Sequence, residues 1–201
     1  MELAICYGLI QWAIWTSGRT QRFLFWIALA WVLTTTLVHR PSATTLGLRL
    51  TGLRNFLCIT AGGFFFAGLS VGIALELHTL HPLHGAGPVG LHVVGYLLWA
   101  FEQQFILQDY FLLRLLCILP TQRAAVIAAA VLFSTAHLPS LVLIPATLVW
   151  GIVACTLFLR YRNLYALALV HGALGLCLAI GLPDVVTHHM MVGRGYVHFH
   201  R

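Results

Sequence analysis

The sequence contains no lysine and few charged residues of any kind. Its 201 residues include 11 arginines and 5 acidic residues, and charged side chains make up 8% of the total. A soluble domain carries roughly 25% charged residues. So few charges cannot cover the surface of a soluble globule, which excludes an ordinary water-soluble protein and favours one whose apolar side chains face lipid.

Other absences exclude further classes of protein. The arginines are scattered and form no basic stripe, so a nucleic-acid partner has no support. The five cysteines lie inside apolar runs and form no CxxC pair, which predicts buried free thiols. No internal repeat is visible, although many transporters are built from inverted repeats. The first apolar run has no basic segment before it, so we expect no cleavable signal peptide.

Long apolar runs are the main feature that is present. Hydrophobic residues make up 60% of the chain, and the mean hydropathy is +0.92. We predict an all-α polytopic bundle of about seven transmembrane helices, forming one membrane-embedded domain over 1–201. The fourth run is too long for one straight span, so we expect a span that continues into a second, partly interfacial helix. The seven runs cover roughly 3–16, 22–38, 56–77, 89–119, 123–137, 140–159 and 164–182.

The positions of the arginines predict how the chain is oriented. Arginines follow the second, fourth and sixth runs, and these alternate loops can all lie on the cytoplasmic side. We therefore expect a multi-pass protein of the plasma (inner) membrane. The arginines that agree are Arg40, Arg49, Arg54, Arg114, Arg123, Arg160 and Arg162, and those that disagree are Arg19, Arg22, Arg194 and Arg201.

Three ionisable residues inside apolar runs are the candidates for chemistry. Glu102, His137 and His171 lie in different runs, where charged groups are costly and tend to be functional. A carboxylate in a medium of low polarity can take a proton from water, and an imidazole can hold that water or donate to an oxyanion. Glu102 and Asp109 are seven residues apart, so an α-helix would place them on one face.

Each candidate also has a simpler interpretation. Glu102 could be a hydrogen-bonding group between helices, His137 an interfacial residue beside a proline turn, and His171 a satisfied core histidine. Seven other histidines could bind metal, but we interpret them more simply as hydrated loop residues. They are His78, His81 and His84 in one loop and His188, His189, His198 and His200 in the tail.

The order of these motifs resembles the CAAX protease and bacteriocin-processing family of glutamate-dependent intramembrane endopeptidases. The family has two adjacent glutamates followed by an arginine, then FxxxH, then a histidine followed four residues on by asparagine. Glu102 falls on the first glutamate, His137 on the second-motif histidine and His171 on the third-motif histidine. The resemblance covers roughly 90–182, and it departs from the pattern at Gln103, Leu107 and Gly175.

The resemblance implies an intramembrane endopeptidase that hydrolyses a peptide bond in a membrane-associated peptide or protein. Glu102 would then activate water, His137 would position it, and His171 would stabilise the oxyanion, with Gln103 and Phe133 in supporting roles. Because only one carboxylate remains in the first motif, we expect no cofactor. Zinc bound by the same three residues stays open, since a catalytic zinc needs three protein ligands and a water.

The alternative is a membrane protein without catalysis. A degenerate relative that serves as a scaffold or immunity protein would tolerate the missing glutamate and asparagine. A small transporter is a further alternative, although the absence of repeats disfavours it.

Overall fold

The computed structural model describes residues 1–48, 52–83 and 88–198, and every regular element in these ranges is helical. This confirms the predicted all-α class. The elements are α1 (Glu2–Ile14), α2 (Gly18–His39), α3 (Leu53–Glu76), α4 (Val89–Phe105), a π-helical segment (Ile106–Leu112), α5 (Leu113–Ile118), α6 (Gln122–Thr135), α7 (Leu143–Tyr161), α8 (Leu164–Gly181), α9 (Asp184–Thr187), a 3₁₀ turn (His188–Met190) and α10 (Gly193–His198).

Polar residues between the apolar runs set the ends of several helices. The Thr121 hydroxyl accepts a hydrogen bond from the Ala124 N–H at 3.1 Å and begins α6. The Asn163 side chain accepts from the Ala166 N–H at 3.0 Å and begins α8. Such caps satisfy backbone donors that have no partner within the helix.

Among the described residues, four helices are long and apolar enough to cross a membrane, namely α2, α3, α7 and α8. Together with the composition, they make the chain an integral membrane protein. Helix α1 has 13 residues and α6 has 14, which is short of the roughly 20 that a straight span needs. The number of seven spans therefore stays a prediction.

The fourth apolar run continues from α4 into a second α-helix, α5, as expected, but the two are joined by a π-helical segment. The interfacial position of the second helix stays a prediction. Helical structure continues from Val89 to Ile118, and the seven residues Ile106–Leu112 adopt a π-helix. A π-helix bonds residue i to i+5 and turns less per residue than an α-helix. The expectation that Glu102 and Asp109 share a face assumed α-helical spacing throughout, so it no longer follows.

The described residues form two compact units. Unit 1 contains Met1–Ser42, Ile106–Thr156 and the tail from Met190, and unit 2 contains Ala43–Phe105 and Leu157–His189. A single domain over 1–201 stays a prediction.

Unit 2 is organised around α8, against which α3 and α4 both pack. Small residues make these approaches close. A Cβ atom at Gly63 on α3 would collide with the Val170 side chain, and one at Gly172 would collide with Leu97 on α4. Association of helices in membranes depends on such small residues, because lipid provides no hydrophobic driving force between helices.

Unit 1 contains a polar cluster at the start of α1. The Arg114 Nε donates to Glu2 Oε2 at 3.1 Å, and the guanidinium lies 3.9 Å from the centre of the Tyr110 ring. The Tyr110 hydroxyl donates to the Glu2 carbonyl and accepts from the Trp31 indole at 2.9 Å. Arg114 is therefore a largely buried, paired helix residue, so its interpretation as a loop arginine is wrong. Arg49 and Arg201 lie outside the described residues.

Most of the remaining histidines that the structure describes make specific contacts. A ring nitrogen of His81 bonds the Leu182 carbonyl at 2.8 Å, which raises the pKa of this imidazole because the carbonyl favours the protonated ring. His189 contacts the Asp184 carboxylate at 2.8 Å, and His188 is buried. The interpretation as a hydrated loop residue is therefore wrong for His188, whereas His81 and His189 are partly exposed. His84 and His200 lie outside the described residues.

Candidate active site

His137 lies just beyond the end of α6 in unit 1. Its Nδ1 is 2.7 Å from the Phe133 carbonyl oxygen, and since a carbonyl only accepts, the ring nitrogen must donate. In the neutral ring, the other nitrogen, Nε2, then carries a lone pair. His137 is therefore set up to accept a hydrogen bond, as a residue that positions water must.

Phe133 also contacts His137 through its ring. The two ring centres are 4.9 Å apart in an edge-to-face arrangement. The spacing of four residues places the two side chains on one face of a helix. Phe133 therefore contacts the imidazole both through its carbonyl and through its ring, and its supporting role in catalysis stays a prediction.

His171 lies in the middle of α8 in unit 2 and is 8% exposed. Its Nδ1 is 3.1 Å from Nε2 of Gln104, which is fully buried on α4. An amide nitrogen only donates, so Nδ1 accepts and the proton of the neutral ring resides on Nε2. His171 is thus the opposite tautomer to His137, and its Nε2–H can donate to an oxyanion.

Glu102 is half-buried near the end of α4. Its Oε1 is buried, and within the described residues it has no hydrogen-bond partner. A buried carboxylate oxygen in this state is costly unless water or a ligand satisfies it. A hydrogen-bond donor from water or a ligand would satisfy this oxygen.

The faces of α4 separate Glu102 from the residues that contact α8. Ala100 packs near Gly172, and Gln104 bonds His171. Residues two apart on an α-helix differ by about 200° around its axis, so Glu102 lies about 160° from both Ala100 and Gln104. The Glu102 side chain is therefore attached to the side of α4 that faces away from α8. The meeting of Glu102, His137 and His171 at one water stays a prediction.

Sequence reasoning missed two residues on the face of α4 that meets α8. Gln104, rather than Gln103, is the amide that bonds the third-motif histidine, and the supporting role of Gln103 stays a prediction. Tyr96 is the second, because its hydroxyl lies against the backbone of Gly175. The spacing of Tyr96, Ala100 and Gln104 by four residues is a signal that could have identified this face.

We expect Gln104→Leu to destabilise the protein by about 1–3 kcal/mol, because the buried Nδ1 of His171 would lose its donor. Gln104→Glu keeps the shape but supplies an acceptor in place of the donating amide, and it should move the proton of His171 to Nδ1. The nitrogen chemical shifts of His171 would report this change of tautomer. Unchanged stability in Gln104→Leu and unchanged shifts in Gln104→Glu would contradict the hydrogen bond.

The protonation state of His171 does not fit a zinc ligand. The hydrogen bond from Gln104 to Nδ1 of His171 puts the proton on Nε2, and a protonated nitrogen is not a metal ligand. Within the part of the chain that the structure describes, no group of three His, Cys, Asp or Glu side chains is arranged to hold a metal ion.

Comparison with known proteins gives one match. Residues 85–177 match the family model described as type II CAAX prenyl endopeptidase Rce1-like. This part of the chain is similar to the CAAX protease family. The match includes Glu102, His137 and His171, and the activity that it implies is that of an intramembrane protease of the CAAX type. No curated protein and no solved structure gives a significant match to the chain.

Proposed function

We propose that the protein is a glutamate-dependent intramembrane endopeptidase that hydrolyses a peptide bond of a membrane-associated peptide or protein. The observation that carries the proposal is the match of residues 85–177, which include Glu102, His137 and His171, to a family of endopeptidases. In the proposed reaction His137 accepts a hydrogen bond from water through Nε2, and His171 donates to the oxygen of the substrate carbonyl. Hydrolysis of an amide needs both functions.

Glu102 is the general base in this proposal. Its carboxylate removes a proton from water as the water oxygen attacks the carbonyl carbon. The same carboxylic acid then returns the proton to the leaving amine as the C–N bond breaks. The buried, unpartnered Oε1 supports this role, because a bound water would satisfy it.

The test is direct cleavage by the purified protein in lipid nanodiscs. A farnesylated peptide that ends in a CAAX sequence is the first substrate, because the family match names prenyl endopeptidases. A set of unmodified single-span peptides is the second. Mass spectrometry identifies the products and the bond that is cut. If neither set is cleaved while the protein remains folded, the proposal fails.

A specific observation favours a second candidate function, a non-catalytic membrane protein that binds a partner. Gln104 makes a hydrogen bond to one ring nitrogen of His171, as expected for a histidine in a helix core. The Glu102 side chain is attached to the side of α4 that faces away from α8. A degenerate family member of this kind would bind the farnesylated peptide without cleaving it. Retained binding with no product would therefore distinguish it from the endopeptidase.

Chelators should leave the cleavage activity unchanged. The proton on Nε2 of His171 opposes zinc ligation, and hydrolysis by Glu102 needs no metal. The measurement compares initial rates with and without 1,10-phenanthroline after prolonged incubation, with a zinc peptidase of known sensitivity treated in parallel. Loss of activity that added zinc restores would contradict this prediction.

A further inference from the structure

Unit 1 contains a groove of about 510 Å³ between the start of α2 and the tail. The start of α2 contributes Ser17 and Gln21 to its lining, and the tail contributes Arg194 and His198. Arg19 lies in the same first turn of α2. The groove therefore brings together parts of the chain whose arginines do not follow the predicted orientation.

The groove is basic and has no acidic counterpart. None of the five acidic residues of the chain is among the described residues that line it. The side chains of Gln21 and Arg194 make no hydrogen bond or ion pair with another described residue, and the Ser17 hydroxyl does not cap α2. A guanidinium presents several N–H donors in a planar fork that matches the oxygens of a phosphate group. The charge and the available donors of the groove therefore complement an anion.

The start of α2 also places this groove at a membrane boundary. Helix α2 is long and apolar enough to span a bilayer, and its side chains change from polar at 19–22 to apolar from Phe23 onward. Trp12 and Trp15 are exposed just before the turn that leads into α2. Tryptophan is enriched where a membrane protein passes through the lipid headgroups. The anion available to the groove at this depth is the phosphate of a lipid.

The tail side of the groove is fixed by contacts within unit 1. The Gly193 N–H donates to the Leu138 carbonyl at 2.7 Å, in the turn that follows α6. Gly193 has a φ of +54°, and a Cβ atom there would collide with Ile14 at the end of α1. Arg194 is the next residue, so its backbone is held in place by α1 and by this turn. The groove is therefore formed without a ligand.

We propose that this groove binds the headgroup of an anionic phospholipid, with Arg194 as the main partner of the phosphate. The Gln21 amide and the Ser17 hydroxyl donate further hydrogen bonds to phosphate oxygens. Met191 and Val192, which also line the groove, contact the apolar part of the lipid. Phosphatidylcholine fits less well, because its choline cation would lie among basic side chains with no carboxylate beside it. The site does not depend on the proposed hydrolysis.

The experiment measures lipid binding to the full chain in detergent micelles by native mass spectrometry. We expect one dioleoylphosphatidylglycerol to bind more tightly than later ones and more tightly than dioleoylphosphatidylcholine. Arg194→Gln should weaken this first binding by about fivefold, the contribution of one arginine beside an anionic membrane surface. Arg123→Gln is the matched control, since Arg123 is exposed in the first turn of α6 in the same unit and lies outside the groove.

Equal affinities for the two lipids, or equal losses in Arg194→Gln and Arg123→Gln, would overturn the site. Inorganic phosphate distinguishes a lipid from a soluble anion. It should not displace the bound phosphatidylglycerol, because it cannot make the contacts of the apolar part. Displacement by phosphate alone would overturn the assignment to a phospholipid.

Ser17→Asp tests the same site while leaving the tail unchanged. A carboxylate at this position favours the start of α2, so the unfolding temperature without lipid should not fall. The same carboxylate repels a phosphate, so binding of phosphatidylglycerol should weaken by at least about fivefold. Ser17→Asn caps the helix without the charge and should bind the lipid as the wild type does. Unchanged binding in Ser17→Asp, or equal losses in both variants, would contradict an anion site.

Discussion

Replacing Glu102 by glutamine is expected to lower kcat for peptide cleavage by about 10²–10⁴-fold, the contribution of a well-placed general base. The amide has nearly the same shape as the carboxylate but cannot take a proton from water. Stability should not fall, because a neutral amide is easier to bury than a carboxylate whose Oε1 lacks a partner. Initial rates on a verified substrate and the thermal unfolding temperature are the two measurements.

Glu76→Gln is the matched control, because Glu76 is exposed at the end of α3 and undergoes the same chemical change. It should leave kcat unchanged. Gln103→Glu restores the acidic pair of the family motif and should be tolerated or mildly helpful. Full activity in Glu102→Gln would overturn the assignment of the base, and with it the glutamate-dependent mechanism.

A methyl group at Gly63 is expected to destabilise the protein by about 3 kcal/mol, at the upper end of the range for overpacking a core. The new Cβ would fall on both methyl groups of Val170, which branch directly from the α8 backbone and cannot swing away. Helices α3 and α8 would therefore have to separate. Unfolding of Gly63→Ala in mixed micelles, followed by circular dichroism, measures the loss.

Two further variants make this packing prediction specific. Gly62→Ala adds the same methyl group where nothing lies within 4 Å, so it should be neutral or slightly stabilising. Val170→Ala removes the two colliding methyl groups, and in the Gly63→Ala background it should recover part of the lost stability. Equal effects of Gly62→Ala and Gly63→Ala would show that the approach of α3 to α8 is not the cause.

The helices could largely be predicted from the sequence because lipid leaves few alternatives to them. Apolar runs between arginine, proline and asparagine gave the bounds of α3, α6 and α8 to within a few residues. The π-helix at Ile106–Leu112 could not be predicted, since its residues are as apolar as an α-helix requires. The side chains of this segment are nearly all buried, among them Gln108 and Tyr110, and the sequence pattern alone carries no sign of the wider turn.

Less of the candidate site than of the fold could be predicted from the sequence. Glu102, His137 and His171 stood out because ionisable groups are rare in apolar runs, and the family match includes all three. The tautomers of the two histidines depend on neighbours that only coordinates identify, a carbonyl for His137 and Gln104 for His171. Gln104 was visible in the sequence as one of two adjacent glutamines, but the face of α4 that meets α8 decides which of them matters.

The π-helix also affects how this chain is lined up with its relatives. Each wide turn accommodates about one residue more than an α-helical turn, so it acts as an insertion hidden within an unbroken helix. A relative that is α-helical at this position would need a one-residue gap to keep the residues after Leu112 on equivalent faces. A gapless alignment of the first motif would pair residues that point in different directions, beginning at Leu107, where the family arginine is expected.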